Sequence, residues 1–309
     1  MKMTLLILFA AVLHFYLSAS NITLPSDDSV SGTVPGLKIL SWNIGMFPVL
    51  DLFLDKDDRA EAIATVLKSH DYDIIVFQEA FSSEGRSILR HILNEKYPFT
   101  YGPVNRSFLS LKCNSGIWII SRMPLSVKKE IEFTSSAGFD GFARKGAVLL
   151  EGRFMSIPFQ LLATHLQDDN YPQYIREQQL NEMYDKLILP FSDPAIPQII
   201  CGDFNTTNKV SEYYNGMLDR LNAEDGEISG NVKITFDDES NDAYRSAHPD
   251  PRQIDYILVR NSYFINRIIR SISVLKSSWG KGKEYLSDHN GIEANIELRK
   301  LDYYSSAAK

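Results

Sequence analysis

The sequence predicts an α/β fold in which two packed sheets carry helices on their outer faces, an α/β sandwich. Apolar runs of strand length outnumber helical patterns and alternate with them along the chain. The sequence contains no glycine-rich loop of the dinucleotide-binding type. Because no linker interrupts the alternation, we expect one domain over residues 37–300.

The spacing of apolar residues defines the individual elements. Helical spacing covers residues 57–69, 83–93 and 173–189, and we expect the last of these helices to end at Pro190. The polar stretch 206–253 predicts one helix and much loop. The strand patterns, in chain order, are 37–44, 72–77, 99–103, 115–121, 126–133, 147–154, 159–164, 199–203, 254–259 and 292–298.

The first 20 residues have the pattern of a secretory signal peptide. Met-Lys-Met precedes a largely apolar run from Leu5 to Leu17, and Ser18-Ala19-Ser20 follows it. An uncleaved anchor is the alternative, although the apolar run is shorter than the roughly 20 residues that a membrane span needs. We expect residues 21–36 to form a flexible leader and 301–309 a C-terminal tail. The sequence thus predicts a secreted or extracytoplasmic protein.

The charge balance bears on possible partners. The formal net charge is -7, and removal of residues 1–20, which hold one Lys and no acid, would make it -8. An acidic chain does not attract a polyanion, so nucleic acid is disfavoured as a partner. Cys113 and Cys201 are the only cysteines. Since Cys201 falls within a core strand, we expect two separate thiols rather than a disulfide.

Several predicted strands end in side chains that carry chemistry. The apolar run that starts at Ile199 stops at Gly202-Asp203-Phe204-Asn205, which presents a carboxylate and a carboxamide at the end of a strand. Each such residue alone is compatible with a structural role, such as a turn or a solvated strand end. Together they predict a functional site. The full set is Asn43, Glu79, His165, Asp203, Asn205, Asp255, Asp288 and His289.

In order along the chain, these residues lie in segments that resemble the endonuclease/exonuclease/phosphatase superfamily, the DNase I-like fold. The resemblance implies a four-layered α/β/β/α sandwich with its active site at one edge of the paired sheets. It also implies a divalent cation there, usually Mg²⁺, with Mn²⁺ or Co²⁺ as substitutes. The matching segments are Ser41-Trp42-Asn43, Gln78-Glu79, Gly116–Ser121, Thr164-His165-Leu166, Gly202–Asn205, Ile254-Asp255-Tyr256 and Ser287-Asp288-His289.

The resemblance also implies roles for these positions. Glu79 would be the metal carboxylate, with Asn43 beside it. His289 would take the proton from the attacking water, oriented by Asp255.

The remaining implied roles concern the phosphoryl group and the catalytic loop. His165 and Asn205 would donate hydrogen bonds to the phosphoryl oxygens. Asp203 would position or protonate a group near the reacting centre, and Asp288 would support the His289 loop or the metal shell. In-line hydrolysis of a phosphodiester needs these functions.

Three segments narrow the resemblance to the neutral and bacterial sphingomyelinases. The first is His165-Leu166-Gln167 ahead of Arg176, and the second is the Lys-Gly element Lys145-Gly146, whose lysine could contact substrate. The third is Trp279 within 276–283, where bacterial members carry an aromatic hairpin. This likeness implies a monomeric, magnesium-dependent enzyme that cleaves sphingomyelin to ceramide and phosphocholine at a membrane surface. The alternatives are a secreted DNase I-like nuclease, a phosphoinositide phosphatase, and an inactive binding module on the same scaffold.

Contact with a bilayer would need apolar side chains near the site. Trp279, among Lys276, Lys281 and Lys283, could rest in the headgroup region, or its ring could pack back onto the domain. The stretch 47–54 is a possible second apolar lip, with a loop covering the core as the alternative. The stretch 206–253 matches no motif.

Overall fold

The computed structural model describes residues 35–47, 56–107 and 112–299. The predicted signal peptide, all but the end of the leader, most of the 47–54 lip and the C-terminal tail therefore lie outside the described residues. From Gly36 onward the described residues belong to one compact unit. No helix in the described ranges combines the length and apolar composition needed to cross a membrane.

Two mixed sheets form the centre of the molecule. The seven-stranded sheet has the order β3-β4-β2-β1-β14-β11-β9, and the five-stranded sheet has the order β10-β8-β7-β6-β5. Strands β12 and β13 form a separate hairpin. The bounds are β1 Leu37–Met46, β2 Ile74–Ala80, β3 Phe99–Tyr101, β4 Trp118–Ser121, β5 Leu125–Glu132, β6 Gly146–Phe154, β7 Ile157–His165, β8 Gln198–Asp203, β9 Ile228–Ser229, β10 Asp255–Arg260, β11 Ile265–Ser273, β12 Lys276–Trp279, β13 Lys283–Tyr285 and β14 Gly291–Leu298.

Alternation along the strands divides their side chains between two cores. On β8, Ile199 and Cys201 face the seven-stranded sheet, whereas Ile200 faces the helices outside. On β1, Ile39 faces inward and Leu40 faces outward. Both faces of each sheet are thus covered, which is why the central strands are apolar throughout instead of alternating with polar residues.

Four of the α-helices among the described residues complete the layers. Helices α1, Lys56–Ser69, and α2, Ser83–Leu93, contribute to the core outside the seven-stranded sheet. Helices α3, Gln173–Met183, and α4, Ser211–Leu221, contribute to the core outside the five-stranded sheet. The order of layers is α/β/β/α, so the predicted four-layered sandwich is confirmed. Both cysteines are free, as predicted, with Cys113 exposed and Cys201 buried.

One helix prediction needs correction, and one long strand was missed. The helix expected to end at Pro190 changes register first: a π-helical turn, Tyr184–Ile188, follows α3, and a short helical segment, Leu189–Phe191, includes the proline. Pro190 lies in the first turn of that segment, where its missing N–H costs nothing. Strand β11 was not predicted at all, and an irregularity between Ile265 and Arg267 interrupts its register with β14.

Candidate active site

Strand direction brings the predicted residues to one edge of both sheets. Strands β1 and β2 are parallel, so Asn43 and Glu79 lie at the same end. Strand β14 runs antiparallel to β1, so the residues just before it, Asp288 and His289, reach that end too. In the five-stranded sheet, β7 and β8 are parallel and β10 is antiparallel to β8. This arrangement aligns His165, Asp203 and Asp255 in one row across three strands.

Gly202 allows β8 to lie close to β7 within that row. A Cβ atom on Gly202 would lie 2.0 Å from the Thr164 carbonyl oxygen, and its φ of +152° disfavours a side chain as well. The glycine before Asp203 is therefore required by the packing of two backbones. It fixes where the Asp203 carboxylate stands relative to His165.

Among the contacts that the three residues of this row make with other ionisable side chains, the shortest joins Asp255 to His289. The Nδ1 atom of His289 lies 2.8 Å from Asp255 Oδ2, and both residues are buried. Burial opposes the charged imidazolium, but Asp255, followed by Asp203 and Asp288, outweighs it and raises the pKa of His289 to about 10. Nδ1 is thereby fixed as the donor, and Nε2 points toward Asp203 Oδ2 at 3.8 Å.

Asp203 is held by two neighbours through separate oxygens. Its Oδ2 accepts a hydrogen bond from the Asn43 side-chain amide at 3.0 Å, and its Oδ1 accepts one from the Asn205 backbone at 2.9 Å. Burial, followed by the charge of Asp255, raises the pKa of Asp203 to about 7. A carboxyl in this range can both hold and release a proton near neutral pH. Asn205 adopts a left-handed φ of 48°.

The predicted role of Lys145 as a substrate contact is not supported. Its ammonium has three donors, and all are used, toward His165 Nε2 at 3.0 Å, the Leu166 carbonyl at 2.8 Å and Asp140 Oδ2 at 2.8 Å. Its side chain is 4% exposed, so no donor remains for a substrate. Lys145 instead ties His165 to Asp140, a contact that the sequence did not reveal.

This contact also determines the tautomer of His165. A lysine ammonium can only donate, so Nε2 of the imidazole accepts and the ring proton is on Nδ1. Burial, followed by the charges of Lys145 and His289, lowers the pKa of His165 well below its usual value, which keeps the ring neutral. The buried Nδ1 atom has no hydrogen-bond partner among the described residues. The predicted hydrogen bond to a phosphoryl oxygen would therefore have to come from Nδ1.

Glu79 and Asp288 present the carboxylates that best fit a hard cation. The side chain of Glu79 is 16% exposed, and its nearest basic atom is His165 Nε2 at 3.9 Å, too far for a hydrogen bond. Burial, followed by repulsion from Asp288, raises the pKa of Glu79 to about 8. Within the described residues, the side chain of Asp288 accepts a hydrogen bond only from Ser287 Oγ, at 3.2 Å. Two close carboxylates with so little compensation fit a divalent ion coordinated by oxygen.

A second set of potential ligands lies beside this pair. Asp203, Asp255 and His289 offer atoms within 4.8 Å of one another. These atoms already bond to protein groups, since Asp255 holds His289 and Asn43 holds Asp203. Imidazole is also a poorer ligand than carboxylate for a hard cation such as Mg²⁺. The structure therefore favours Glu79 and Asp288 for the ion and the other three residues for proton transfer.

The unmatched stretch 206–253 supplies support that the sequence did not predict. Thr235 Oγ1 accepts hydrogen bonds from the backbone of Ile254 and Asp255 at 3.0 and 3.1 Å. The Phe236 ring packs edge-on against the His289 ring, with 5.2 Å between centroids. The backbone N–H of Asp237 donates to the Asp288 carbonyl at 2.9 Å. Three consecutive residues thus contact the loops that carry the catalytic candidates.

Arg252 extends this support outward from Phe236. Its guanidinium lies 4.6 Å from the centroid of the Phe236 ring and forms a bidentate pair with Asp169 at 2.8 and 2.9 Å. Asp169 belongs to the loop after β7, so the pair joins the loops that follow His165 and precede Asp255. A bulky aromatic followed at a distance by an arginine is too common a pattern to predict such a contact.

The expectation that Trp279 faces a membrane is wrong in this structure. Its side chain is 4% exposed, and its indole N–H donates to the Tyr285 carbonyl at 2.9 Å. The ring packs in the core under α1, with Leu275 and Leu286. The alternative weighed for it, a tryptophan packed back onto the domain, is the one observed. Phe47, the only described part of the proposed second lip, stacks on Phe81 with centroids 5.6 Å apart.

The fold and site define a class of protein that independent comparison also identifies. The sequence profile of the endonuclease/exonuclease/phosphatase family matches residues 40–289, and the chain belongs to this family. The match extends from β1 to His289 and so includes every catalytic and metal-binding candidate.

Individual relatives are similar over most of this chain. Sphingomyelinase C 2 of Leptospira interrogans is 31% identical over 83% of this chain and 45% of its own length. Phospholipase C of Staphylococcus aureus is 26% identical over 72% of each chain. This chain spans about half the length of the three Leptospira relatives that it matches, at 45%, 52% and 50%.

Solved structures share the fold. A beta toxin variant from Staphylococcus aureus, crystallised with bound magnesium ions, aligns with a TM-score of 0.75 at 23% identity, over 84% of this chain and 99% of that one. Sphingomyelinase C of Streptomyces griseocarneus aligns with a TM-score of 0.74 at 22% identity, over 85% of this chain and 99% of its own.

Proposed function

We propose that this protein is a divalent-metal-dependent phosphodiesterase that cleaves a phospholipid, with sphingomyelin as substrate and ceramide and phosphocholine as products. The observation that carries the proposal is the buried pair of His289 and Asp255, whose 2.8 Å contact leaves Nε2 of the imidazole directed into a site lined by Asp203. The relatives named sphingomyelinase C support the choice of substrate.

The reaction breaks the P–O bond to the ceramide oxygen and forms a P–O bond to the oxygen of water. His289 accepts the proton of the attacking water at Nε2, because Asp255 holds Nδ1–H and stabilises the imidazolium that forms. Asp203 donates a proton to the departing ceramide oxygen, a role suited to its raised pKa. Asn205 uses one amide hydrogen for the Leu166 carbonyl, so the second is available to a phosphoryl oxygen.

Glu79 and Asp288 would hold the cation, which we propose to be Mg²⁺, with Mn²⁺ or Co²⁺ as substitutes. When bound, the ion supplies positive charge that neutralises phosphoryl oxygens and lowers the pKa of nearby groups. The carboxylates of Asp255, Asp203 and Asp288 raise the pKa of His289, and the charge of a bound ion would oppose that rise and so favour proton acceptance. The role of Asn43 is to hold Asp203, through the amide contact at 3.0 Å.

The proposal is tested by offering the purified protein three substrate classes with Mg²⁺. Sphingomyelin vesicles, plasmid DNA and soluble phosphoinositides are incubated in parallel, and phosphocholine, nicked DNA and inorganic phosphate are measured. We expect phosphocholine from sphingomyelin and neither of the other products. Nicked DNA would indicate that the substrate is DNA, and released phosphate would indicate that it is a phosphoinositide. No detectable product in any of the three assays would indicate a binding module instead of an enzyme.

We also propose that the protein is exported and acts as a monomer that contacts membranes peripherally. Export is supported by the basic start, apolar run and small residues of the segment 1–20. Amino-terminal sequencing of the exported protein should begin after Ser20, and a start at Met1 would exclude cleavage. Size-exclusion chromatography with light scattering should return the mass of one chain.

A further inference from the structure

A 3₁₀ turn, Gly138–Phe142, places two phenylalanine rings in solvent beside the candidate site. Phe139 is 88% exposed and Phe142 is 69% exposed, the two highest values for large apolar side chains among the described residues. A 3₁₀ helix has three residues per turn, so side chains at positions i and i+3 lie on the same face. The two rings therefore form one surface, which we name the Phe139–Phe142 patch.

The patch is anchored to the site from its inner side. Asp140, between the two rings, accepts a hydrogen bond from the Asp168 backbone at 2.8 Å and pairs with Lys145 at 2.8 Å. Lys145 in turn bonds to His165. The Tyr171 hydroxyl also packs against Gly138, where a Cβ atom would lie 1.7 Å from the hydroxyl oxygen. Two contacts thus separate the patch from a residue of the candidate active site.

The charge of the turn indicates what kind of surface it fits. The stretch 134–143 contains a single charged residue, Asp140, whose side chain is directed to Lys145 and is 18% exposed. The outward face therefore consists of aromatic and uncharged groups, which suits a surface without net charge. Two rings are far fewer than the roughly 20–30 residues that each side of a stable protein interface contributes. Exposed aromatic side chains on an anchored turn suit the boundary between headgroups and acyl chains.

We propose that the Phe139–Phe142 patch inserts into a bilayer of zwitterionic phospholipids and so brings the site to its substrate. This inference rests on the proposed function, since it assumes that the phosphodiester belongs to a membrane lipid. It assigns to this turn the contact that the sequence suggested for Trp279, which the structure buries. Insertion at the patch holds the row of His165, Asp203 and Asp255 near the headgroups.

Vesicle binding without turnover tests the patch directly. The full chain is mixed in EDTA with sucrose-loaded vesicles of phosphatidylcholine and sphingomyelin and then sedimented. We expect Phe139→Ser combined with Phe142→Ser to weaken binding by about tenfold or more, because two rings lose their burial. Equal binding by the parent protein and the double variant would overturn the proposal. The proposal would also be overturned if the double variant both bound vesicles more weakly and unfolded at a lower midpoint than the parent, because destabilisation would then account for the weaker binding.

The chain offers a matched control at the opposite end of the five-stranded sheet. Leu189 is 67% exposed. It lies two residues before Phe191, whose carbonyl accepts a hydrogen bond from Gln160 at the end of β7 away from His165. Leu189→Ser removes an apolar side chain that is about as exposed as Phe142, and we expect vesicle binding to be unchanged. If Leu189→Ser weakens binding as much as the double variant, vesicle binding is a nonspecific property of exposed apolar side chains, and the patch proposal is wrong.

A fluorescent reporter follows insertion itself. The three tryptophans of the chain, Trp42, Trp118 and Trp279, are 1%, 3% and 4% exposed, so their emission should not respond to lipid. In Phe139→Trp, vesicles should shift the added emission to shorter wavelength, and brominated acyl chains should quench it. Unchanged emission on vesicle-bound protein would show that the patch stays outside the bilayer.

The outcomes separate this inference from the proposed function. If the double variant cleaves vesicle sphingomyelin as well as the parent, the docking role fails while the phosphodiesterase proposal stands. If the parent cleaves no phospholipid but Phe139→Trp still reports insertion, docking stands and the proposed function fails. If anionic vesicles bind the parent and the double variant equally well and zwitterionic vesicles bind neither, charge attracts the protein and the patch proposal is wrong.

Discussion

The two ends of the five-stranded sheet both carry buried polar clusters, but the clusters differ in how completely they are bonded. At the far end, Gln160, Gln198 and Arg260 are 0%, 3% and 9% exposed. At the site end, in register five residues along, lie His165, Asp203 and Asp255. The spacing of residues along a strand places the two clusters roughly 17 Å apart.

Hydrogen bonds satisfy the polar side chains of the far cluster, which consists of Gln160, Gln198 and Arg260. The Gln160 amide donates to Glu151 and to the Phe191 carbonyl at 2.9 Å each, and its carbonyl accepts from Asp193 and from Gln198. Arg260 bonds to the carbonyl of the Gln198 side chain. Only one of the three central side chains is charged, so hydrogen bonds can compensate the cost of burial.

The polar atoms of the site cluster are less completely hydrogen-bonded. Both His165 Nδ1 and Asp255 Oδ1 are buried without a hydrogen-bond partner among the described residues. Glu79 adopts a left-handed φ of 55°, which is unfavourable for a residue other than glycine. Burial, followed by the charge of Asp255, raises the pKa of Asp203, and burial, followed by the charge of Asp288, raises the pKa of Glu79. Incomplete bonding at one end and complete bonding at the other indicate that the first end is arranged for chemistry and the second for stability.

The largest effect should come from the proposed base. His289→Ala removes proton acceptance, so turnover of sphingomyelin should fall by about 10² to 10⁴. The unfolding free energy should also fall, because Asp255 is left as a buried carboxylate without its partner, so turnover is compared only for folded protein. Release of phosphocholine is the measurement, with circular dichroism as the control for folding. A folded variant with near-parent turnover would exclude His289 as the base.

Magnesium affinity distinguishes the two possible ligand sets. Glu79→Gln keeps the side-chain volume and removes an anionic ligand, so Mg²⁺ affinity should fall by about 100-fold, with activity partly restored at high Mg²⁺. Asp255→Asn should leave Mg²⁺ affinity nearly unchanged while lowering turnover. Isothermal titration calorimetry measures both variants. The reverse pattern would place the ion at Asp203, Asp255 and His289.

A smaller effect is expected from the support behind His289. Arg252→Gln removes the bidentate pair with Asp169 and the contact with Phe236, so the imidazole should lose part of its orientation. We expect kcat to fall by about tenfold with KM unchanged. The matched variant Arg252→Lys keeps the charge without the bidentate fork and should recover only part of the rate. A change in KM alone would indicate that Arg252 contacts substrate instead.

The sequence was most informative where function is encoded locally. Asn43, Glu79, His165, Asp203 and His289 each lie in or directly beside a strand, so a strand pattern with a polar end was enough to find them. Strand direction then brought them together, as the resemblance implied. Strand β11 escaped prediction because its irregular pairing breaks the alternation of apolar and polar residues.

Contacts between distant loops could not be predicted in the same way. The pairing of Lys145 with Asp140 and of Arg252 with Asp169 depends on loop geometry that no spacing encodes. The prediction that Trp279 contacts a membrane was wrong for another reason. An indole ring suits both a membrane interface and an apolar core that offers its N–H one hydrogen-bond acceptor. Only its surroundings, the Tyr285 carbonyl and the residues under α1, decide between the two.

The most direct test of the contrast between the two ends is a paired measurement on Glu79→Gln and Gln160→Leu. Turnover is measured for both at the Mg²⁺ concentration that just saturates the parent protein. Urea unfolding is measured in EDTA, so that metal binding does not affect stability. Glu79→Gln should lose most activity and unfold at an equal or higher free energy, because a repelled buried carboxylate is removed. Gln160→Leu should keep its activity and lose about 1–3 kcal/mol of stability. A Glu79→Gln protein that is destabilised but fully active would contradict the account.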